Sequence, residues 1–317
     1  MRISILDLLR TAAPLAALFT LVGCGTNVTE PARPAAFNTE LRCGQLPIAV
    51  RGQGERLSLQ VQGQQLTLQQ AVSASGARYV GEGERETSLW FKGDQASLVL
   101  EGMEYPRCAP AGAVIEPFRA SGNEPFWSLT LKQGNLTLNR LNEGKLPARA
   151  YMAGENKGEY LTEGEPQMRL QVEDQLCHDD MSGMPYPQQV SVTLDGTTLT
   201  GCGGDPARLL QGGEWVVEDI NGGGIIDRSR VTLNFWQDGR VTGSASCNNL
   251  MGQYQLSGEG LSISQPATTR MACPPSLMAQ EQRVLTTLSQ LQRFGFDDTG
   301  ALLLHSEQGS LKARLQH

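Results

Sequence analysis

The sequence contains little of what an enzyme or a membrane-spanning protein needs. Only three histidines occur in 317 residues, and there is no G-x-S-x-G, H-E-x-x-H or phosphate-binding loop. The sequence therefore offers no motif in which a catalytic nucleophile is paired with a general base. No cysteine pair has the C-x-x-C spacing typical of zinc sites. We therefore predict no enzyme activity, no metal ion, no cofactor and no nucleic-acid partner. Cys177-His178-Asp179-Asp180 contains ligand-type residues, but the side chains of adjacent residues point apart.

The N-terminus has the pattern of an exported chain. An apolar run over residues 11–21 follows Arg2 and Arg10, and it is shorter than the roughly 20 residues that cross a bilayer. It ends in Leu21-Val22-Gly23-Cys24, which resembles the lipobox of bacterial lipoproteins. The resemblance implies a signal peptide at 1–23, cleavage before Cys24 and lipid on its sulfur. The alternative is an ordinary signal peptide followed by a free cysteine.

A short polar segment follows the proposed lipid site. Gly25, rather than an aspartate, follows Cys24, which resembles the pattern of lipoproteins sorted to the outer membrane. We expect a lipid-anchored protein that faces the periplasm. Residues 24–37 contain two prolines and no apolar periodicity, so we expect a flexible tether there.

The other six cysteines are distributed in three pairs along the chain. An even number in an exported protein suggests disulfides, and six cysteines allow fifteen connectivities. Long stretches without cysteine separate the pairs, which favours one internal bridge in each of three domains. The expected bridges are Cys43–Cys108, Cys177–Cys202 and Cys247–Cys273.

The remaining chain alternates between apolar and polar residues, as half-buried strands do. Leu57-Ser58-Leu59-Gln60-Val61 is one example, and Asp195-Gly196 is a strong hairpin turn. We predict a mainly β protein of three small antiparallel barrel-like or sandwich-like domains at 38–112, 113–210 and 211–317. The three regions are not clear sequence repeats of one another.

One helix is expected, in the last domain. Leu277, Glu281, Val284, Leu285, Leu288 and Leu291 fall at helical spacing. We predict an amphipathic helix over residues 276–293 that begins at Ser276, followed by strands at Leu302-Leu303-Leu304 and residues 311–315.

The first region carries the most specific motifs. Ser75-Gly76-Ala77-Arg78-Tyr79 and the segment Trp90 to Ala96 (WFKGDQA) lie between Cys43 and Cys108. This arrangement resembles the membrane-bound inhibitor of C-type lysozyme over about 70 residues. The resemblance implies an eight-stranded antiparallel barrel that binds C-type lysozyme.

The resemblance also implies which side chains make the contact. Ser75 and Lys92 enter the lysozyme cleft, Arg78 supports the serine loop, and Gly76 and Gly93 belong to the two contact loops. Without the resemblance, a serine before a glycine is usually a turn residue and an isolated lysine is usually solvated. We expect Tyr79 and Trp90 to be core aromatics rather than contacts.

The loop that precedes Trp90 is longer than the family pattern. Residues 80–89 read VGEGERETSL, and the extra length casts doubt on the position of Lys92. The chain has a formal net charge of −7, and Glu82, Glu84 and Glu86 lie in this loop. Such a loop either meets the basic rim of an animal lysozyme, which speeds association, or is a solvated surface loop.

The other two regions resemble families of unspecified chemistry. Gly213-Glu214-Trp215, residues 243–249 (GSASCNN) and residues 268–273 (TTRMAC) resemble the META, or HslJ-like, domain, which is associated with the bacterial envelope and stress tolerance. There we expect Asn248 and Asn249 to form a turn and Arg270 to be structural. The middle region resembles an uncharacterised lipoprotein domain through residues 122–127 (GNEPFW), 181–187 and 201–204, which we expect to be structural.

The sequence therefore leaves three candidate functions. The first is an envelope-anchored inhibitor that binds C-type lysozyme through Ser75 and Lys92. The second is an enzyme, which the missing catalytic motifs disfavour. The third is a structural or stress-tolerance protein of the envelope without inhibitory activity. The oligomeric state stays open at this stage.

Overall fold

The computed structural model describes residues 36–141, 143–258 and 260–316. The proposed signal peptide, Cys24 and most of the expected tether lie outside these residues. The tether prediction is wrong at its end, because Phe37 already belongs to the first strand. Its ring packs edge-to-face on Phe91, with the two centroids 5.7 Å apart. In the described part of the chain, the only α-helix has 15 residues, and no helix is long and apolar enough to cross a bilayer.

The first nine strands form a closed antiparallel sheet, called here the first barrel. The strands are β1 (Phe37–Cys43), β2 (Leu46–Gln53), β3 (Arg56–Val61), β4 (Gln64–Ala71), β5 (Ala77–Gly81), β6 (Ser88–Lys92), β7 (Gln95–Leu100), β8 (Met103–Glu104) and β9 (Cys108–Ala109). Each strand from β1 to β7 pairs with the next, and β9 pairs with both β7 and β1. Eight strands therefore complete the ring, as the resemblance implies. Their inward-facing residues, including Leu57, Leu59 and Val61, form its core.

A disulfide lies at the closing seam of this ring. Cys43 and Cys108 are register partners across β1 and β9 and form a disulfide with a sequence separation of 65 residues. Closing a loop of that length stabilises the fold by about 4 kcal/mol on the chain-entropy estimate. The disulfide therefore links the first and last strands of the ring, which share only two register pairs.

Of the next eleven strands, nine form a second closed sheet, called here the middle barrel, and β17 and β18 form a separate two-stranded sheet. The strands are β10 (Phe118–Asn123), β11 (Phe126–Lys132), β12 (Asn135–Arg140), β13 (Gly144–Lys145), β14 (Arg149–Ala153), β15 (Glu159–Thr162), β16 (Arg169–Glu173), β17 (Cys177–His178), β18 (Pro185–Tyr186), β19 (Gln188–Leu194) and β20 (Thr197–Gly203). The ring runs through β10, β11, β12, β14, β15, β16, β19 and β20, and β20 pairs back with β10. Trp127 is buried inside it, and its indole N–H donates to the carbonyl of Thr200 over 3.1 Å.

The two barrels share one topology. In each, eight strands follow one another around the ring in chain order, and the last pairs with the first. The middle barrel differs by a hairpin, β17–β18, inserted between its sixth and seventh ring strands. The disulfide Cys177–Cys202 joins that hairpin to β20. The sequence did not reveal this relationship, since alternation alone repeats in any β protein.

The last region is a barrel-like sheet with one helix, preceded by a short 3-10 helix at Pro206–Leu209. Its elements are β21 (Glu214–Ile220), β22 (Arg230–Phe235), β23 (Arg240–Ser246), β24 (Asn249–Leu256), β25 (Leu261–Thr268), α1 (Pro275–Ser289), β26 (Leu291–Phe296), β27 (Leu302–Ser306) and β28 (Ser310–Gln316). The strand order is β25-β24-β23-β22-β21-β28-β27-β26, and α1 packs against β23 and β25. The mainly β fold with a single helix in the last region is as predicted.

The bounds of the predicted helix are partly wrong. It begins at Pro275 rather than Ser276, after Pro274, and no side chain caps its N-terminus. It ends at Ser289, four residues before the predicted end. Leu291 matches the helical spacing, yet it starts β26 and pairs with Ser306 of β27. Pairing with a neighbouring strand buries Leu291 in the core and thus overrides the local periodicity.

Candidate functional site

The loop between β4 and β5 places Ser75 on the surface of the first barrel. Ser75 is exposed, and its backbone carbonyl accepts a hydrogen bond from the indole N–H of Trp90 over 2.8 Å. Within the same loop, the Ser73 hydroxyl donates to the carbonyl of Gly76 over 3.0 Å. The two bonds hold the loop backbone from both sides while leaving the Ser75 hydroxyl exposed.

Gly76 is the residue that permits this loop conformation. Its φ of +67° lies in the left-handed region, and a β-carbon there would overlap the carbonyl oxygen of Phe91 on β6. A side chain at this position therefore meets both backbone strain and a steric clash with a neighbouring strand. The Ser75 loop lies against β6 because residue 76 has no side chain.

Lys92 lies at the end of β6, beside the same tryptophan. Its ammonium nitrogen is 4.1 Å from the centroid of the Trp90 ring, within cation–π distance. Lys92 is exposed and pairs with Gln95 across the tight turn that contains Gly93, whose φ is +67°. Ser75 and Lys92, predicted from different segments, are therefore both held by Trp90.

Trp90 is the functional residue that sequence reasoning misplaced. It was expected in the core with Tyr79, but only Tyr79 is buried there, at 2% exposure. Trp90 is half-buried and contacts the Ser75 carbonyl and the Lys92 ammonium. The spacing contained the signal, because Trp90 and Lys92 are two apart on one strand and so project from the same face.

Arg78 contacts the lengthened loop. Its guanidinium donates to the carboxylate of Glu86 over 3.0 Å, and the Ser88 hydroxyl donates to the same oxygen over 2.7 Å. The hydrogen bond from Ser88, followed by that from Arg78, lowers the pKa of Glu86. The long loop is thus fixed at its C-terminal end, directly before β6. Glu82 and Glu84 remain exposed in the rest of the loop.

A groove runs beside the serine loop. Its volume is about 670 Å³, and its walls include Val72, Arg78, Glu86 and Trp90. The side chain of Val72 is fully exposed at its edge. The Ser75 loop is therefore bordered by an apolar side chain and an ion pair.

The middle barrel has a corresponding loop with different side chains. Gly158, with a φ of +73°, replaces Gly76, and a β-carbon there would overlap the carbonyl of Val172 on the equivalent strand. The Gln171 amide donates to the carbonyl of Lys157 over 3.0 Å, as Trp90 does to Ser75. With Gly158 aligned to Gly76, Lys157 occupies the position of Ser75, and with Val172 aligned to Phe91, Glu173 occupies that of Lys92. The architecture is kept, but the first position gains a positive charge and the second changes from positive to negative.

Asp179, in the acidic motif of the middle barrel, stabilises a loop through hydrogen bonds. One oxygen of Asp179 accepts hydrogen bonds from the backbone of Met181 and from the backbone and hydroxyl of Ser182, and the other accepts from the Asn123 amide. Burial raises the pKa of Asp179, but these bonds, those from Ser182 first, outweigh it and lower the pKa overall. The neighbouring Cys177 sulfur is in a disulfide. Among residues 36–141, 143–258 and 260–316, no three His, Cys, Asp or Glu side chains group to hold a metal ion.

Asn248, which was expected to form a turn, is buried and connects several segments of the last region. Asn248 is 1% exposed, and its backbone N–H donates to the buried carboxylate of Glu281 on α1 over 3.0 Å. Its side-chain oxygen accepts from the backbone of Met271 and from the hydroxyl of Thr269. Asn248 therefore joins α1 to two strand ends, beside the Cys247–Cys273 disulfide.

Comparisons with known proteins find family matches in two of the three regions. Residues 42–106 match the family model described as membrane-bound lysozyme-inhibitor of c-type lysozyme, or MliC, and residues 208–317 match the META domain model. The chain thus contains an MliC domain and a META domain, and neither family is enzymatic. Residues between these two matches are assigned to neither model.

Two solved structures are similar to parts of the chain. An NMR structure without a stated organism is 26% identical over 34% of this chain and 93% of its own, with a TM-score of 0.30. An NMR structure of a protein from Burkholderia xenovorans is 24% identical over 34% of this chain and 85% of its own, with the same TM-score of 0.30. No curated protein matches the chain.

Proposed function

We propose, from the MliC domain at residues 42–106, that this chain is an envelope-anchored protein that inhibits C-type lysozyme by inserting Ser75 and Lys92 into the active-site cleft. The observation that carries the proposal is the position of these two residues. Both are exposed, and both are held by Trp90, one through its ring nitrogen and one over its ring face.

The chemistry of the two side chains fits the target. A C-type lysozyme works with a protonated glutamic acid and an ionised aspartate that face each other across the cleft. A hydroxyl donates to or accepts from a carboxyl group, and an ammonium forms a charge-assisted bond with a carboxylate. Ser75 and Lys92 therefore match both catalytic groups of the enzyme. Gly76 and Gly93 shape the two loops that present them, whereas Arg78, expected to support the serine loop, contacts Glu86 of the long loop before β6.

The same proposal includes the anchor. The lipobox-like Leu21-Val22-Gly23-Cys24 supports removal of residues 1–23 and lipid on Cys24. Gly25 supports sorting to the outer membrane, with the folded part in the periplasm. Two or three acyl chains anchor stably, since each buried methylene contributes about 0.8 kcal/mol. The three domains proposed are 38–112, 113–210 and 211–317.

A titration tests the inhibitor. The full chain, in nonionic detergent, is titrated against hen and human lysozyme while hydrolysis of cell walls is followed. We expect inhibition, and Ser75→Ala and Lys92→Ala each to weaken it by about 1–3 kcal/mol through the loss of a buried hydrogen bond. Ser262→Ala and Lys132→Ala are the matched controls, because both residues are exposed on other strands of the chain.

Two results would contradict the proposal at different levels. Inhibition that survives the Ser75→Ala, Lys92→Ala double variant removes these residues from the contact. Failure to inhibit any C-type lysozyme favours the alternative, an envelope structural or stress-tolerance protein. The lengthened loop at residues 82–87 and the META domain are the features that favour this alternative.

A further inference from the structure

A large cleft lies where the two barrels and the last region meet. Its volume is about 1120 Å³, above the range of about 300–1,000 Å³ that is usual for small-molecule sites. One wall comes from the ends of β1 and β9, another from β10 and β11, and the third from the 3-10 helix segment. The cleft lies outside the MliC contact loops.

Arg208, in the 3-10 helix segment, forms hydrogen bonds to the first barrel. The Arg208 guanidinium donates to the carbonyl of Arg107 over 2.8 Å and to that of Arg42 over 3.1 Å. Gln45 strengthens the junction, since its backbone N–H donates to the carbonyl of Gln211 over 2.7 Å and its amide to that of Arg208 over 3.0 Å. The cleft walls are therefore joined by directional bonds between the domains.

Four arginines line the cleft. Arg42, Arg107 and Arg208 belong to the segments that these bonds join, and Arg119 lies on β10. Burial lowers the pKa of Arg208, and the charge of Arg42 acts in the same direction. Across the described part of the chain, none of Arg42, Arg107 and Arg119 forms an ion pair.

Three carboxylates also line the cleft, but each already accepts hydrogen bonds. Glu116 accepts from the hydroxyl of Tyr151, Asp174 from the amide of Gln188 over 2.8 Å, and Asp205 from the backbone of Ala207 over 3.0 Å. Asp174 and Asp205 act on Arg208, whose pKa they raise against the effect of burial. In the described part of the chain, the guanidinium groups of Arg42, Arg107 and Arg119 have no ion-pair partner, so their N–H groups remain available for a ligand.

We propose that this arginine cleft binds an acidic saccharide. A guanidinium binds a carboxylate or a phosphate through two parallel hydrogen bonds, so several arginines in one cleft select a ligand with more than one anionic group. Ser121 and Ser128 are register partners on β10 and β11 and, with Thr130, line the cleft beside Arg119. These hydroxyls match the hydroxyls of sugar rings, and the volume has room for several rings.

Calorimetric titration of the full chain in nonionic detergent tests the proposal. The probes are trigalacturonic acid, which has three carboxylates, its neutral counterpart galactotriose, and inorganic phosphate. We expect the acidic trimer to bind at least tenfold more tightly than the neutral trimer, and less tightly as salt is raised. The triple variant R42Q/R107Q/R119Q should bind the acidic trimer at least tenfold more weakly.

A matched variant controls for the general loss of positive charge. R51Q/R56Q removes two exposed arginines of the first barrel that do not line the cleft, and it should bind like the parent. The thermal unfolding transition should be unchanged in both variants, which shows that the fold is intact. Equal binding of the two trimers, unaltered binding by the triple variant, or binding of phosphate without the acidic trimer would each overturn the proposal. So would the absence of any binding at millimolar concentration.

Discussion

The ring nitrogen of Trp90 donates a hydrogen bond to the carbonyl of Ser75 over 2.8 Å. The ammonium of Lys92 lies against the same ring. One half-buried side chain thus fixes the spacing of a hydroxyl and an ammonium that belong to different loops. A rigid spacing would favour the proposed inhibition, because both groups would meet their partners at once without further ordering of the loops.

We expect Trp90→Phe to weaken lysozyme inhibition about 5- to 30-fold. The change removes a hydrogen bond and weakens the cation–π contact, each of which contributes about 0.5–1.5 kcal/mol. Inhibition constants from cell-wall hydrolysis provide the measurement. Trp236→Phe is the matched control, because its ring nitrogen donates to the Thr242 hydroxyl in the last region. Equal inhibition by Trp90→Phe and the parent would show that the ring does not position the contact residues.

Gly76→Ala should destabilise the first barrel more than Gly63→Ala. Both glycines have positive φ values, +67° and +73°, so each substitution incurs the left-handed strain of about 1–2 kcal/mol. Only at Gly76 does the new β-carbon also overlap a backbone oxygen, whereas nothing lies within 4 Å at Gly63. Hydrogen exchange of β5 and β6 amides measures the difference. Similar exchange in the two variants would contradict the role assigned to the close approach.

The carboxyl pKa of Glu86 should lie below its usual value of 4.5, and Ser88→Ala and Arg78→Gln should each raise it. The hydrogen bond from Ser88 is the larger cause of the lowered pKa, and Arg78 is the second. Carboxyl-carbon NMR with labelled glutamate measures the titration in the parent and both variants.

The sign of the linked stability follows from that direction. A lowered folded-state pKa means that the contribution of Glu86 is present above the unfolded pKa and is lost as the pH falls through the folded pKa. Both partners are partly exposed, at 39% and 49%, so we expect about 1 kcal/mol or less. Glu84→Gln, in the same exposed loop, is the control. A rise in stability on acidification below pH 4.5 caused by this residue would be incompatible with the ion pair.

Asp179→Ala should destabilise the middle barrel by about 1–3 kcal/mol, because it leaves donors of Asn123 and Ser182 without their acceptor. Asp180→Ala, at the exposed neighbouring position, should change stability by less than about 0.5 kcal/mol. Urea unfolding followed by tryptophan fluorescence compares the two. Since the Asp179 pKa is lowered, the difference should shrink as the pH falls below 3.8. Equal effects of both substitutions would refute the assignment.

Lysozyme should bind the chain in a one-to-one complex. The middle barrel has the same ring order as the first, but Lys157 and Glu173 occupy the positions of Ser75 and Lys92. A carboxylate at the second position would repel the acidic cleft of the enzyme. Sedimentation of the complex gives the stoichiometry, and Ser75→Ala with Lys92→Ala should weaken all of the binding. A complex of two lysozyme molecules per chain would mean that the middle barrel also binds lysozyme. So would a double variant that still binds lysozyme at half of the sites.

Local sequence patterns sufficed for the strands. Alternation placed Leu57, Leu59 and Val61 on the core-facing side of a strand, because successive side chains of a strand point to opposite faces. Ser75 and Lys92 were singled out by the resemblance to the lysozyme-inhibitor family, and their role stays a prediction. The grouping of the cysteines in three pairs corresponds to the three disulfides that the structure contains.

What the tertiary structure decided depends on contacts between distant residues. Leu291 left the predicted helix because a strand 15 residues later pairs with it, and Asn248 became a hub because α1 brings Glu281 to it. Trp90 acts as a support only because the serine loop folds onto β6. The shared ring order of the two barrels follows from strand closure, and the cleft lined by four arginines follows from domain packing. Periodicity in a single sequence does not record which segments meet.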